Sequence, residues 1–352
     1  MKAKNFWKDK KVLVVGHTSF HGSWLIIWLL EMGAKVVGYG LATDNEEDNY
    51  VLCKLDEKIK SYIVNVNDKE AINKVFEEEK PEIVIDLSTL MCNDKSSMDI
   101  YENRIMGTLN ILNCIKNSSE TKVGIIVNSD DCYEAKEQLW GYRENDTLGG
   151  YNPYSASQAC SELIIASYRH TYLNMDNYSE HGKAIANIRV GKVIGGGDWS
   201  EDSIIASCAK AFVNKDPAVI KCSNNMMLIQ HVLDPIRGII MLVEKMYENP
   251  EEYSETWNFG CEYSSCMPAL EAAEKFKKEF RKCEILELDD ISEEYDNTTK
   301  ILDITKAKYK LGWAPKWTID KTISYTADWY KNYKTKDVYS ICKNHIEKYS
   351  LM

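Results

Sequence analysis

A chain of 352 residues, 44% hydrophobic and 28% charged, holds one large core with a smaller lobe and is too short for several independent domains. Its 54 acidic against 43 basic residues give a net charge of -11, which repels phosphate backbones and anionic membrane surfaces and argues against either as a partner. No segment offers about 18 consecutive apolar residues, residues 1–11 lack signal-peptide design, and eleven scattered cysteines form no C-x-x-C pair. A soluble cytoplasmic protein with reduced thiols and no metal is the expectation.

In chain order, a strand over 12–15 leads into a helix through 24–32, and a second strand covers 35–39. A strand over 59–64, a helix over 68–79 and a strand over 83–86 continue the pattern, followed by a helix near 101–115, the run 123–128, a helix over 154–172 and a strand over 184–190. Short β-branched runs alternating with amphipathic stretches predict an α/β fold, a doubly wound parallel Rossmann-like sheet over residues 1–190. After Gly191 the rhythm breaks at the loop Gly195-Gly196-Gly197-Asp198-Trp199, so 191–352 is read mainly as a smaller C-terminal substrate-binding cap, with some segments returning to the main sheet.

Directly after the first strand stands Gly16-His17-Thr18-Ser19-Phe20-His21-Gly22, opening into a helix. A phosphate-binding turn needs a tight bend, close backbone approach and a small residue where helix meets strand; Gly16 and Gly22 suit the first and last. The acidic residue expected on a ribose at the end of the second strand is missing, because Tyr39-Gly40-Leu41 stand there and Asp44 falls later in a polar loop. The residues alone do not choose between NAD and NADP.

Ser129-Asp130-Asp131-Cys132-Tyr133 ends a buried strand, and Tyr154-Ser155-Ala156-Ser157-Gln158 opens a helix on which positions 154 and 158 share a face. With Gly149-Gly150-Tyr151, Gln230-His231-Val232-Leu233, Trp257-Asn258-Phe259-Gly260 and Leu311-Gly312-Trp313, these runs resemble the extended short-chain dehydrogenases, the CDP-glucose 4,6-dehydratases among them. The resemblance implies a dimer pairing through the helices near 101–115 and 154–172, bound NAD, and a nucleotide-sugar substrate, a CDP-hexose being favoured. It also implies oxidation at C4, loss of water across C5 and C6, and hydride return to C6. Tyr154 would deprotonate the 4-hydroxyl, Ser129 would hydrogen-bond it, Asp130 would protonate the departing 6-hydroxyl and Asp131 would stand at the C5 base. Gly16, Thr18, Ser19, Phe20, Gly22, Asn65 and Val66, with Tyr154 and Gln158, would hold the cofactor, and Asn103, Arg189, Gly197 and His231 would meet the substrate.

Several positions depart from that pattern. Gln158 stands where relatives carry a lysine, Ser19 for a glycine, His21 for a lysine, Ser88-Thr89 for alanines, Ser203 for an arginine, and residues 226–229 for a stretch that usually supplies an arginine and a tryptophan. A cation about 4 Å from a phenol is worth roughly 4 kcal/mol at an effective dielectric near 20, and a tyrosine of ordinary pKa is ionised only about one part in a thousand at pH 7. These departures predict a weakened or altered dehydratase, the alternative being a catalytically silent partner subunit.

Overall fold

Eleven strands are described in the computed structural model, which covers residues 6–88, 96–136, 138–221, 223–280, 283–288 and 300–351: β1 (Lys11–Val15), β2 (Lys35–Gly40), β3 (Lys60–Ile63), β4 (Ile83–Asp86), β5 (Val123–Ser129), β6 (Ala184–Val190), β7 (Ala218–Lys221), β8 (Met226–Leu228), β9 (Thr256–Phe259), β10 (Cys266–Pro268) and β11 (Ile285–Leu288). Seven of them make one sheet in the order β3-β2-β1-β4-β5-β6-β9, and every pairing in it is parallel. The order reverses between β1 and β4, which opens a crevice beyond the carboxyl ends of the strands. Strands β4, β5 and β6 are buried at every position, as expected for a sheet covered on both faces.

Helices α1 (Phe20–Glu31), α2 (Lys69–Glu79), α3 (Gly107–Asn117) and α4 (Pro153–Thr171) provide the crossovers. One core packs α1 against β1 and β4 with Trp7, Trp24 and Trp28; the other packs α2, α3 and α4 against the opposite face through Ile72, Phe76, Ile111, Ile115 and Ile165. Helix α4 begins where it does because Asn152 accepts the Ser155 N–H at 2.8 Å and Pro153 occupies the first helical position, where a missing N–H costs nothing. Helix α3 continues without a break from a helical segment Ser97–Tyr101 through a π-helical turn, Glu102–Met106.

The half of the chain beyond residue 190 divides in two. Strand β9 returns to the edge of the large sheet beside β6, and α6 (Leu233–Glu248) packs against β5 and β6. Helices α5 (Ile204–Asn214) and α7 (Ala269–Lys277) pack on each other beside two small sheets, parallel β7/β11 and antiparallel β8/β10, and form the separate lobe. Helices α8 (Ile319–Asn332) and α9 (Val338–Ser350) pack on each other, and α9 lies on α1, where Trp317, Tyr325, Tyr349 and Trp24 build an aromatic layer. Among the described residues no helix is long and apolar enough to cross a membrane.

Candidate active site

The turn after β1 is shaped by space. Gly16 has φ +77, and a Cβ there would meet Leu87 and Ser88 backbone at 3.0 Å; a Cβ on Gly22 would lie 2.4 Å from the Gly16 carbonyl oxygen. Only glycine lets α1 start this close to the strand end. Thr18 Oγ1 donates to Leu41 O at 2.7 Å, pinning the turn to the exit of β2. Phe20 begins α1 and packs on the Gly195 loop. Ser19 is the N-cap of α1: its hydroxyl donates to Gly16 O at 2.7 Å and accepts from Gly22 N at 3.1 Å. That side chain thus closes the turn itself. His17 is buried, hydrogen-bonded to Ser61 Oγ at 2.6 Å, and burial pushes it down to about 4, so it is neutral at pH 7.

Beyond β3, Asn65 is exposed and its carbonyl accepts the Tyr39 hydroxyl at 2.9 Å, while buried Val66 lies against Gly107. Asn103 Oδ1 accepts from Asn67 Nδ2 at 2.6 Å, so the structure groups Asn103 with the Asn65–Asn67 loop. Asp86, at the end of β4 beside the Gly16 turn, is a buried carboxyl that burial raises to about 6, with Ser88 donating to it twice. Thr89 lies outside the described residues.

Ser129 ends β5 and caps a single helical turn, Asp130–Cys132. Its hydroxyl lies 3.0 Å from Asp130 Oδ1 and 3.4 Å from Asp131 Oδ2, and its backbone N–H donates to Gln158 Oε1 at 3.3 Å. That last bond ties the start of α4 to the end of β5 and fills one lone pair of an amide that is fully buried. Tyr154 is half-buried on the same helix start. Ser129, Asp130, Asp131 and Gln158 are therefore brought together, with Tyr154 one helical turn before Gln158. Burial first, and the neighbouring Asp131 charge second, push Asp130 up to about 7; Lys192 and Lys300 pull the other way. An acid that holds its proton near neutrality stands beside a carboxylate paired with a cation: Lys300 Nζ is 3.2 Å from Asp131 Oδ1, and Lys300 is only 7% exposed. It reaches that place because Tyr142 exchanges backbone hydrogen bonds with Ile301 and Asp303.

Three expected substrate contacts are placed elsewhere. Arg189 is 3% exposed and wholly engaged: Nε and Nη2 each donate to Glu162 at 2.9 Å, and Nη1 donates to the Tyr133 hydroxyl at 2.6 Å and to Glu144 O at 3.0 Å. Glu162 also accepts from Asn128 and Asn187, so this buried network clamps α4 onto β5 and β6 instead of facing a ligand. His231 is wholly buried between Trp24 and Trp317, and burial holds it well below the usual histidine range. Gly197, with φ +81, is a packing glycine whose Cβ would meet Asn49 at 2.8 Å and Trp329 at 3.2 Å. Sequence patterns missed Lys300, Lys192, Asp86 and Arg104, whose guanidinium carbon lies 4.5 Å from the Tyr154 ring centre. Each is lone in sequence and joins the site only through the fold.

Among the described residues no three histidine, cysteine or acidic side chains gather as a metal site. A parallel sheet of this order, a glycine turn after its first strand, and a serine at the end of β5 beside a tyrosine-bearing helix define an extended short-chain dehydrogenase architecture. Residues 13–181 match the GDP-mannose 4,6 dehydratase family. The chain is 34% identical over 350 residues to CDP-glucose 4,6-dehydratase of Salmonella typhimurium, covering 98% of each chain. It is 24% identical to Protein CapI of Staphylococcus aureus, over 93% of this chain and all of that one. Its fold matches dTDP-glucose 4,6-dehydratase from Bacillus anthracis in complex with NAD (TM-score 0.74, 18% identity, 93% of this chain and 98% of that one). It likewise matches UDP-glucose 4-epimerase from Thermotoga maritima with UDP-glucose (TM-score 0.75, 20% identity, 91% and 98%). The chain belongs to the nucleotide-sugar 4,6-dehydratase family.

Proposed function

We propose that the protein is an NAD-dependent nucleotide-sugar 4,6-dehydratase acting on a CDP-hexose. The observation that carries the reading is the turn at the end of β5, where a carboxyl raised to about 7 stands beside a carboxylate bound to a buried lysine. Elimination of water requires one group to give a proton and one to take it, and a carboxyl raised toward neutrality stands here beside a second carboxyl. The residues of the β1 turn fit a dinucleotide: Gly16 and Gly22 leave the space that a Cβ would fill, and the start of α1 offers backbone N–H donors to a pyrophosphate. When bound, NAD supplies the hydride acceptor and donor. Gly16, Thr18, Phe20 and Gly22 would cradle its phosphates, and Asn65 and Val66 would lie at its adenine.

In this reading the Tyr154 phenolate takes the proton of the sugar 4-hydroxyl while Ser129 Oγ holds that oxygen by a hydrogen bond. Asp131 takes the C5 proton. Asp130 gives its proton to the 6-hydroxyl as it departs as water. Lys300 pairs with Asp131 and holds that side chain beside Asp130. The alternative, a catalytically silent partner subunit, draws on Gln158, which provides no charge beside the phenol.

The test is to purify the protein, identify any retained dinucleotide, and follow CDP-glucose for the alkaline absorbance of a 4-keto product. Retained NAD with turnover supports the reading; retained NAD with no turnover of CDP-, dTDP-, GDP- or UDP-hexoses leaves the silent subunit. A cytoplasmic homodimer joined through α4 and the 97–117 helix is part of the proposal. Met98, Met106, Leu163 and Tyr172, all exposed on or just beyond those helices, support it, and sedimentation with Leu163→Glu tests it.

A further inference from the structure

We propose that Arg104 supplies the positive charge that position 158 lacks, stabilising the phenolate of Tyr154 from the face of its ring. The inference rests on Tyr154 being the base of the proposed reaction. A guanidinium stays protonated at any working pH and stacks readily on an aromatic face, whereas an amide at 158 contributes hydrogen bonds and no charge.

The placement is built into the fold. Arg104 is 2% exposed, and its guanidinium carbon is 4.5 Å from the Tyr154 ring centre. It sits in the π-helical turn Glu102–Met106, an insertion that recurs at functional sites because it redirects one or two side chains out of the ordinary helical register. That turn is fastened to the tyrosine helix: Ser161, on α4, donates to Arg104 O at 3.3 Å and lies 3.4 Å from Thr108 Oγ1. The stack therefore joins two elements that the Ser161 hydroxyl already ties together.

Among the described residues, several charged groups on the packed elements have partners of their own. Glu162, on α4, is held by Arg189 from β6, and Asp131 is held by Lys300, with Asp130 beside it. Asp99, Tyr101 and Glu102 lie on the helix that carries Arg104; Glu102 is exposed and Asp99 and Tyr101 are half-exposed, so solvent screens them. Cys132 is buried with its thiol raised well above the ordinary range, and stays neutral. An opposite charge within about 4 to 6 Å favours the ionised form of a group by about 1 to 3 pH units. For a phenol that starts near 10, this raises the ionised fraction at neutral pH by roughly 10- to 1000-fold.

Arg104 is thus a positioning residue that acts through the tyrosine. The decisive measurement is the titration of Tyr154 itself, by NMR of protein labelled at the tyrosine Cζ, with Tyr154→Phe assigning the signal. The wild-type phenol is expected to titrate about 1 to 3 pH units below the ordinary value near 10. Arg104→Met should return it to that value, Arg104→Lys should keep most of the shift, and Arg104→Met with Gln158→Lys should recover it. Turnover of CDP-glucose should follow the same order, with the acid limb of the pH profile moving up in Arg104→Met and back down in the double variant. A wild-type Tyr154 that titrates at or above 10 overturns the proposal without any variant having to fold. So does an Arg104→Met protein that loses turnover with its titration and pH profile unmoved, which would mark a structural residue. If the phenol shifts as expected and no nucleotide sugar is turned over, Arg104 keeps its role and the dehydratase reading is what fails.

Discussion

The turn after β1 and the turn after β5 lie at the same edge of one sheet with β4 between them, yet they are built by opposite means. The first is neutral and works through space: a positive φ at Gly16, a forbidden Cβ at Gly22, a serine closing its own turn and a histidine kept uncharged. The second is crowded with charge, Asp130, Lys300, Glu162, Arg189 and Arg104 being buried and Asp131 partly so, all within or beneath it. A site made by space tolerates loss of a hydroxyl and fails on gain of a methyl; a site made by charge does the reverse. In the second, deleting one partner leaves the other buried and uncompensated.

The largest effect is therefore expected beneath the charged turn. Arg189→Leu leaves Glu162 buried without its cation and should cost about 3–5 kcal/mol of stability, read from urea denaturation. Asp130→Asn comes next, with turnover falling about 10²- to 10⁴-fold for loss of a proton donor, the fold being kept. The same variant carries a pH signature. Asp130 is raised from 3.8 to about 7, so the folded state binds its proton more tightly than the unfolded state does. That stabilisation is complete below about 4, is lost as pH rises toward 7, and is absent above; Asp130→Asn should flatten this slope in denaturation midpoints measured from pH 4 to 8. In the wild type, turnover should fall as pH rises past about 7, where the acid loses its proton. Lys300→Met should move that alkaline limb upward by about 1 pH unit, because a cation that favours the ionised carboxyl is gone, and should lower the maximum turnover roughly tenfold. The smallest effect belongs to the turn made by space: Ser19→Ala removes an N-cap and should cost about 1 kcal/mol, while Ser19→Gly should cost only a few tenths. If Ser19→Ala proved as damaging as Arg189→Leu, the contrast between the two turns would collapse.

That contrast also explains what could be read before the fold was known. Periodicity located the strands of the first 190 residues and the helices between them, because a buried parallel strand and an amphipathic helix each imprint a local pattern. The Gly16–Gly22 spacing and the Ser129 to Tyr154 sequence were visible for the same reason. Arg189, His231 and Gly197 were assigned to the substrate, and the structure gives them to an ion-pair network, an aromatic core and a tight packing contact. A buried arginine that meets a ligand and one that meets a glutamate look alike until the glutamate is placed. Arg104 and Lys300 went unseen because their partners are 50 and 169 residues away, and no short motif records a pairing at that distance. A return of some later segment to the main sheet was expected, but not that it would be β9, whose four residues gain their meaning only from the strand beside them.

The π-helical turn at Glu102–Met106 also bears on how this protein can change. It holds one residue more than an ordinary helical turn, and each residue of an α-helix advances the chain by about 100°. Loss of a single codon there would leave a perfectly acceptable continuous helix from Ser97 to Asn117, with similar hydrophobic content. Everything on its amino-terminal side would be rotated by about a quarter-turn relative to α4, and the guanidinium would be carried off the face of the phenol. A change invisible to circular dichroism would thus part Arg104 from Tyr154.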